Sequence, residues 1–387
     1  MTHATPTSLS TKTNISHAAN RASSQRLPDP DHLFAIPPRE MHSLGLGRPV
    51  SFPVSRFCSF YRHPHSSHPS LSFRLSRYIP LSFKPHVSLY ILYYRFHIMR
   101  FSALAALAAA ATPTWAYWKG FNVGANNIDG SCKTQSDWES AFNDLKGLNG
   151  YFSSVRLYAA SDCNTLANAV PAALNTGVQI LVGVWAEDAA HYNAEKAALE
   201  AAINAHGSDW IIAISVGSED LYRGDTDAST LAQQIYDVRG MVRAMGVNQE
   251  VGHVDTWTVW VDDANSAVIE ACDFIGLDAY PYFQKSKISD ASAVFWSAVD
   301  QTRNQVNKVS PGKWVWITET GWPVSGDSLG NAVPSVANAQ NYWQTVGCDL
   351  FNSAHTFWYA YQDYNANPSF GVFGSNGQAI YDTQSCS

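Results

Sequence analysis

Residues Lys313 to Pro323 read KWVWITETGWP. Trp314, Val315, Trp316, Ile317 and Thr318 are aromatic or largely β-branched, the types that fit a pleated, packed surface. They do not alternate cleanly between polar and apolar, which suits a strand buried on both faces, as in a parallel sheet. The run then delivers one carboxylate, Glu319, and stops at Gly321-Trp322-Pro323. A solvated Glu at a strand end is common. A Glu beside a large indole, after a buried strand, also suits holding a carboxylate against a ring-shaped ligand.

A second stretch repeats the pattern. Trp210 to Asp220 reads WIIAISVGSED, a mostly apolar run ending in Glu219. Glu219 and Glu319 lie one hundred positions apart, so bringing them together needs a fold that gathers strand ends. A barrel of alternating strands and helices does this.

The apolar periodicity outward from these stretches supplies such a fold. Strands are expected at Gly120–Asn127, Phe152–Ala159, Val178–Trp185, Ile211–Val216, Val251–Trp257, Phe274–Tyr280, Lys313–Thr318 and His355–Tyr361. Helices are expected at Thr134–Leu148, His191–His206, Ser229–Met245, Asp262–Ala271, Ala291–Val309 and Val333–Phe351. Eight strands alternating with helices predict an α/β chain folded as a (β/α)8 TIM barrel. No GxGxxG follows the first strand, and there is no Walker loop, HExxH or GxSxG, so dinucleotide, nucleotide, zinc-protease and serine-hydrolase chemistry have no support.

Composition divides the 387 residues. Residues 1–98 hold eleven Lys/Arg, three Asp/Glu and nine of the thirteen His, with frequent Pro and Ser and no sustained period. Histidines 63, 65 and 68 sit in the tract HPHSSHPS without a scaffold to make a metal site. From Met99, MRFSALAALAAAATPTWA reads as a secretory signal peptide: a charged start, a short Ala-rich apolar stretch, and a small-residue cleavage site at Ala116. The expectation is that residues 1–98 are a spurious or disordered extension, that 99–116 are the signal, and that 117–387 form the barrel domain. The alternative is a genuine long basic leader or a membrane-anchored form, although the apolar stretch is too short to favour a span.

From Tyr117 onward the chain carries thirteen Lys/Arg and twenty-nine Asp/Glu, a formal charge of −16. That balance argues against nucleic acid and anionic membrane as partners. The five cysteines 132, 163, 272, 348 and 386 form no CxxC pair, and their odd number leaves at least one without an intramolecular partner. Cys348 with Cys386 is a candidate tie for the C-terminal tail. The four histidines of this region are dispersed, so no metal and no cofactor are expected. No apolar C-terminal tail calls for a lipid anchor. The chain is expected to act as a monomer.

In a barrel the working groups collect at the C-terminal strand ends. The residues expected there include Asn126, Tyr158, Asp162, Trp185, Ser218, Trp257, Asp278, Tyr280, Tyr282, Trp322 and Trp358, together with Glu219 and Glu319. Rings can stack on the apolar faces of sugars, amides and carboxylates can bind hydroxyls, and two carboxylates can break a glycosidic bond. The bland alternative is that the Trp and Tyr residues are core.

These residues also carry a resemblance. VGSE at Val216–Glu219 and TETGWP at Thr318–Pro323, with RLYAASD at Arg156–Asp162 and DAYPYF at Asp278–Phe283, resemble the signatures of glycoside hydrolase family 17, in its fungal secreted endo-β-1,3-glucanase type. The resemblance covers Gly120 to the C-terminus. It implies a (β/α)8 barrel, β-1,3-glucan as substrate, retention of configuration, Glu219 as proton donor and Glu319 as nucleophile. The family usually has Asn before the donor Glu, where it helps bind the sugar 2-hydroxyl; this chain has Ser218. The motifs do not separate hydrolases from transglycosylating wall enzymes. A silent glucan-binding wall protein and action on β-1,4-mannan or cellulose are the remaining alternatives.

Overall fold

The computed structural model describes residues 117–384, apart from Asn149 and Tyr151. The expected leader and signal segments lie outside the described residues. Eight parallel strands close into a barrel in sequence order. They are β1 Lys119–Asn122, β2 Ser154–Arg156, β3 Gln179–Val184, β4 Ile211–Ser218, β5 Glu250–Thr256, β6 Phe274–Asp278, β7 Trp314–Glu319 and β8 Thr356–Trp358. The helices are α1 Gln135–Gly147, α2 Thr165–Thr176, α3 Ala189–His206, α4 Asp220–Arg223, α5 Ala228–Ala244, α6 Trp257–Trp260, α7 Ser266–Ala271, α8 Ala291–Val309, α9 Val336–Tyr342 and α10 Cys348–Ser353.

Local chemistry places the helix starts. Thr134 and Asp137 form a reciprocal capping box on α1, and Asp188, Asp227 and Ser335 cap α3, α5 and α9 through their side chains. On α1, Trp138, Ala141, Phe142 and Leu145 recur at three-to-four spacing and are buried. Strand residues divide between two packed sets. Leu181, Ala213, Phe274, Trp316 and Phe357 form a compact apolar cluster of their own. Their neighbours Ile180, Ile214, Ile275, Ile317 and Trp358 pack in the larger set that includes the helices.

Several strands are shorter than expected. β1 ends at Asn122 because the following residues turn back, with Asn126 bridging Cys132. β8 keeps three residues of the expected seven. β4 runs two residues further, through Ser218, with a register shift against β5 between Ser215 and Ser218. The expected helix over Val333–Phe351 is two helices joined by one π turn, Trp343–Gly347. A Cβ at Gly347 would stand 3.1 Å from Trp358, so this wide turn sits tight against β8.

Cys132 and Cys163 form a disulfide, and Cys272 is a buried free thiol, the odd residue that the count required. Cys348 is disulfide-bonded. The expected partner Cys386 lies outside the described residues.

Candidate active site

Glu319 ends β7, paired in register with Asp278 at the end of β6. Both of its oxygens are taken. Arg156, the last residue of β2, donates from Nη1 to Oε1, and the Tyr280 hydroxyl donates to Oε2 at 2.6 Å. Arg156 is 1% exposed and also donates to Asn122 Oδ1 and Ser218 Oγ, both at 2.9 Å. The Asn122 amide in turn donates to the backbone oxygens of Thr318 and Phe357, which fixes its orientation. A buried guanidinium with this many partners is a rigid clamp. Burial alone would make Arg156 easier to deprotonate, but the charges of Glu319 and Asp278 outweigh it and hold the guanidinium above its ordinary range. The Tyr158 ring lies against that guanidinium, 4.8 Å from its carbon.

Glu219 follows β4 in the left-handed region, with φ of 58°. Its amide donates to Val254 O at 2.8 Å, so the residue is tied to β5 as well. The turn before it needs glycine: Gly217 has φ of +74°, and a Cβ there would meet Asp220 Oδ2 at 2.1 Å. That same oxygen caps the turn by accepting from the Ser218 amide at 2.6 Å. Burial first, then the charges of Glu319 and Asp255, push the Glu219 carboxyl up to about 8. Carboxylate oxygens of Glu219, Asp278 and Glu319 lie within 4.8 Å of one another. Asp278 is buried, accepts from Thr318 Oγ1 at 2.7 Å, and is held well above the usual carboxylate range by burial and then by Glu319.

Other expected residues divide by location. Ser218, Tyr158, Asp278 and Tyr280 stand around the two glutamates. Trp185 lies over Arg223, 5.1 Å from its guanidinium carbon, and Arg223 approaches Glu219 at 3.9 Å. Trp257 opens α6 half-buried and lines a cavity of about 320 Å³ with Gln284, Asp290 and Ser297. Asn126 and Asp162 serve local structure. The Asn126 amide donates to Gly130 O and lies 3.3 Å from Cys163 Sγ. Asp162 pairs with His191 at 2.8 Å.

Tyr282, Trp322 and Trp358 do not offer a face for a ligand, contrary to the expectation from their place in the sequence. They are 3%, 1% and 1% exposed. Trp322 packs against Tyr282 and Tyr342, and Trp358 against Tyr342, Trp343 and Phe351. Their polar atoms are used inside: Tyr282 donates to Asp327 O, Trp322 to Val333 O and Trp358 to Tyr381. The reading of them as core is correct. The aromatic wall beside Glu319 is instead Tyr280 with Phe283 and Tyr359, at centroid separations of 5.4 and 5.7 Å, backed by the buried Phe370.

Sequence reasoning missed Asn122 and Tyr359, and used Arg156 only as part of a motif. A charged residue closing an apolar strand was the available signal for Arg156. Among the described residues, two groups of side chains stand close enough to share an ion. In the first, Glu219, Asp278 and Glu319, the Arg156 guanidinium already supplies the cation. In the second, Asp162, His191 and Glu195, the Glu195 oxygens are occupied by the amides of Ala160, Ser161 and Trp185.

An acidic pair, an arginine clamp and an aromatic wall at the C-terminal ends of barrel strands define the class of barrel glycosidases. The chain belongs to the family of the BtgE/BtgC glycoside hydrolase domain, whose profile matches residues 120–374. It is 44% identical over 303 residues to the "Probable glucan endo-1,3-beta-glucosidase eglC" of Aspergillus fumigatus, covering 72% of this chain and 67% of that one. It is 41% identical over 267 residues to a glucan 1,3-beta-glucosidase of Saccharomyces cerevisiae, covering 65% of this chain and 84% of that one. Among solved structures it is similar to an active-site mutant of a Rhizomucor miehei beta-1,3-glucanosyltransferase in complex with laminaritriose. That match has a TM-score of 0.60 and 30% identity, and covers 69% of this chain and 98% of the other. The chain spans about two thirds of the length of the Aspergillus relatives. The resemblance to glycoside hydrolase family 17 is thereby borne out.

Proposed function

We propose that this protein is a secreted enzyme that cleaves β-1,3-glucan internally, with retention of configuration. The observation that carries the mechanism is the unlike environment of two close carboxylates. Glu319 is ion-paired to Arg156, while the Glu219 carboxyl, pushed up to about 8, keeps its proton at neutral pH. Oxygens of the two groups within 4.8 Å of each other support the close spacing of a retaining pair over the wider spacing of an inverting one. Glu319 attacks the anomeric carbon while Glu219 protonates the departing glycosidic oxygen. A glycosyl ester on Glu319 results. Glu219, now a carboxylate, takes a proton from water as the water attacks, which restores both groups. Arg156 and Tyr280 aim the nucleophile, and as donors to its two oxygens they stabilise the Glu319 carboxylate when it departs from the ester.

The relatives supply the substrate class, since their names and the laminaritriose complex all concern β-1,3-glucan. The direct test is proton NMR of laminari-oligosaccharide cleavage. The β-anomer should appear first; the α-anomer first would replace this mechanism with inversion. A second reading has one specific support: the similar Rhizomucor protein is a transferase. Transfer uses the same glycosyl-enzyme with a sugar hydroxyl in place of water. A time course on one defined oligosaccharide decides between them. Early products longer than the starting sugar would make this protein a glucanosyltransferase.

A further inference from the structure

His253 lies in β5 and is fully buried, yet both of its ring nitrogens are engaged. Nδ1 lies 2.7 Å from the backbone oxygen of Val216. A carbonyl oxygen only accepts, so Nδ1 carries a hydrogen. Nε2 lies 3.1 Å from Asp255 Oδ2. That oxygen also accepts from the Leu221 amide at 3.1 Å, and Asp255 Oδ1 accepts from the Thr256 amide at 2.7 Å. A carboxyl filled with donors in this way meets the ring as an acceptor, so Nε2 carries a hydrogen too.

Val216 precedes the acid/base candidate by three residues and Leu221 follows it by two. We infer that His253 and Asp255 form a buried imidazolium–carboxylate staple whose ends hold Val216 and Leu221, and that these are positioning residues for Glu219. The proposal rests on the reading of Glu219 as acid/base.

The charges around the staple agree. Burial would strip the proton from His253, but the bond to Asp255, its charge and that of Asp220 outweigh burial and raise the imidazole above its ordinary range. The titratable and charged groups facing it are Asp255 on β5, Asp220 on α4 and the Cys272 thiol against its backbone. Beyond Asp255 and Asp220 stand Glu219 and Arg223. The Trp260 ring closes the remaining side, 5.7 Å away and edge-on. Asp255 acts on Glu219 directly by charge, and His253 neutralises Asp255. The staple thus fixes the left-handed turn of Glu219 and limits how strongly Asp255 opposes its ionisation.

Two substitutions separate this role from simple packing. H253Q keeps a donor for Val216 O and strands the Asp255 charge. D255N lets its amide donate to a neutral His253 and removes the charge nearer to Glu219. The alkaline limb of kcat/KM on laminarin should move up in pH for H253Q and down for D255N, each by about half a unit. Both should lose about tenfold or more on laminarin, which needs its leaving group protonated. Both should lose little on a dinitrophenyl laminaribioside, whose leaving group needs no acid. E219A is run beside them. If E219A is impaired equally on both substrates, the acid/base reading itself fails. If E219A spares the activated substrate but the limbs of H253Q and D255N stay fixed or move together, the staple is overturned and the reading of Glu219 stands. Should H253Q fail to fold, a downward limb in D255N supports the staple and an unmoved limb overturns it.

Discussion

The Tyr280 hydroxyl donates to Oε2 of Glu319 at 2.6 Å, from a residue two positions beyond the end of β6 to one that closes β7. Arg156 holds the other oxygen from the far side of the barrel. The nucleophile candidate is therefore oriented by two elements that its own strand does not contain. Y280F removes one of these bonds and leaves the ring packing with Phe283 and Phe370. The bond is charge-assisted, so its loss should cost about 1.5–3 kcal/mol, or roughly ten- to a hundredfold in kcat/KM on laminarin. The same bond stabilises the folded protein, so Tm should also fall by several degrees, which calorimetry would check.

R156M should be far more damaging. It leaves Glu319 and Asp278 buried without their cation, and removing one partner of a buried pair costs about 3–5 kcal/mol. The expected outcome is lost laminarin cleavage together with a lower midpoint in denaturant titration. R156K should recover part of the stability and little of the activity, because an ammonium cannot serve Glu319, Asn122 and Ser218 in one plane.

Glu219 should set an alkaline limit. Its carboxyl, at about 8, is protonated at neutral pH, so kcat/KM should fall as pH rises through that value. The sign for stability follows from the same shift. A folded-state value above the unfolded one near 4.5 means a contribution present below about 4.5 and lost progressively as pH rises through about 8. E219Q removes that loss. Its Tm should exceed the wild type's at pH 9 and approach it at pH 4, while its laminarin activity is abolished. Equal Tm differences at both pH values would contradict the assignment.

The Cys132–Cys163 disulfide closes a loop of 31 residues, worth about 3.5 kcal/mol by loop entropy. C132S/C163S should therefore lower the unfolding midpoint by several degrees, since about 1 kcal/mol corresponds to roughly 2–4 °C at this size. The disulfide joins the loops after β1 and β2, whereas the carboxylate pair is carried by β4 and β7, so kcat/KM below the transition should be retained. Thermal unfolding alongside a laminarin assay tests both halves.

The eight strands, their parallel closure and the two glutamates were legible in the chain itself. Apolar, β-branched and aromatic runs such as Trp314–Thr318 and Ile211–Val216 are local, and a carboxylate follows each within three residues, so residue type and run length placed Glu219 and Glu319 at strand ends. Whether an aromatic beside such an end faces a cleft or the core is not local. Trp322 and Trp358 follow or end barrel strands just as Tyr280 does, yet Tyr342 packs on both of them and Trp343 on Trp358 as well. Only the helix docking decided that. The same holds for charge. Arg156 lies 163 residues from Glu319, and Asp255 lies 36 residues from Glu219. The raised Glu219 carboxyl and the Arg156–Glu319 ion pair come from burial and neighbours that the closed barrel assembles, and no stretch of sequence contains them.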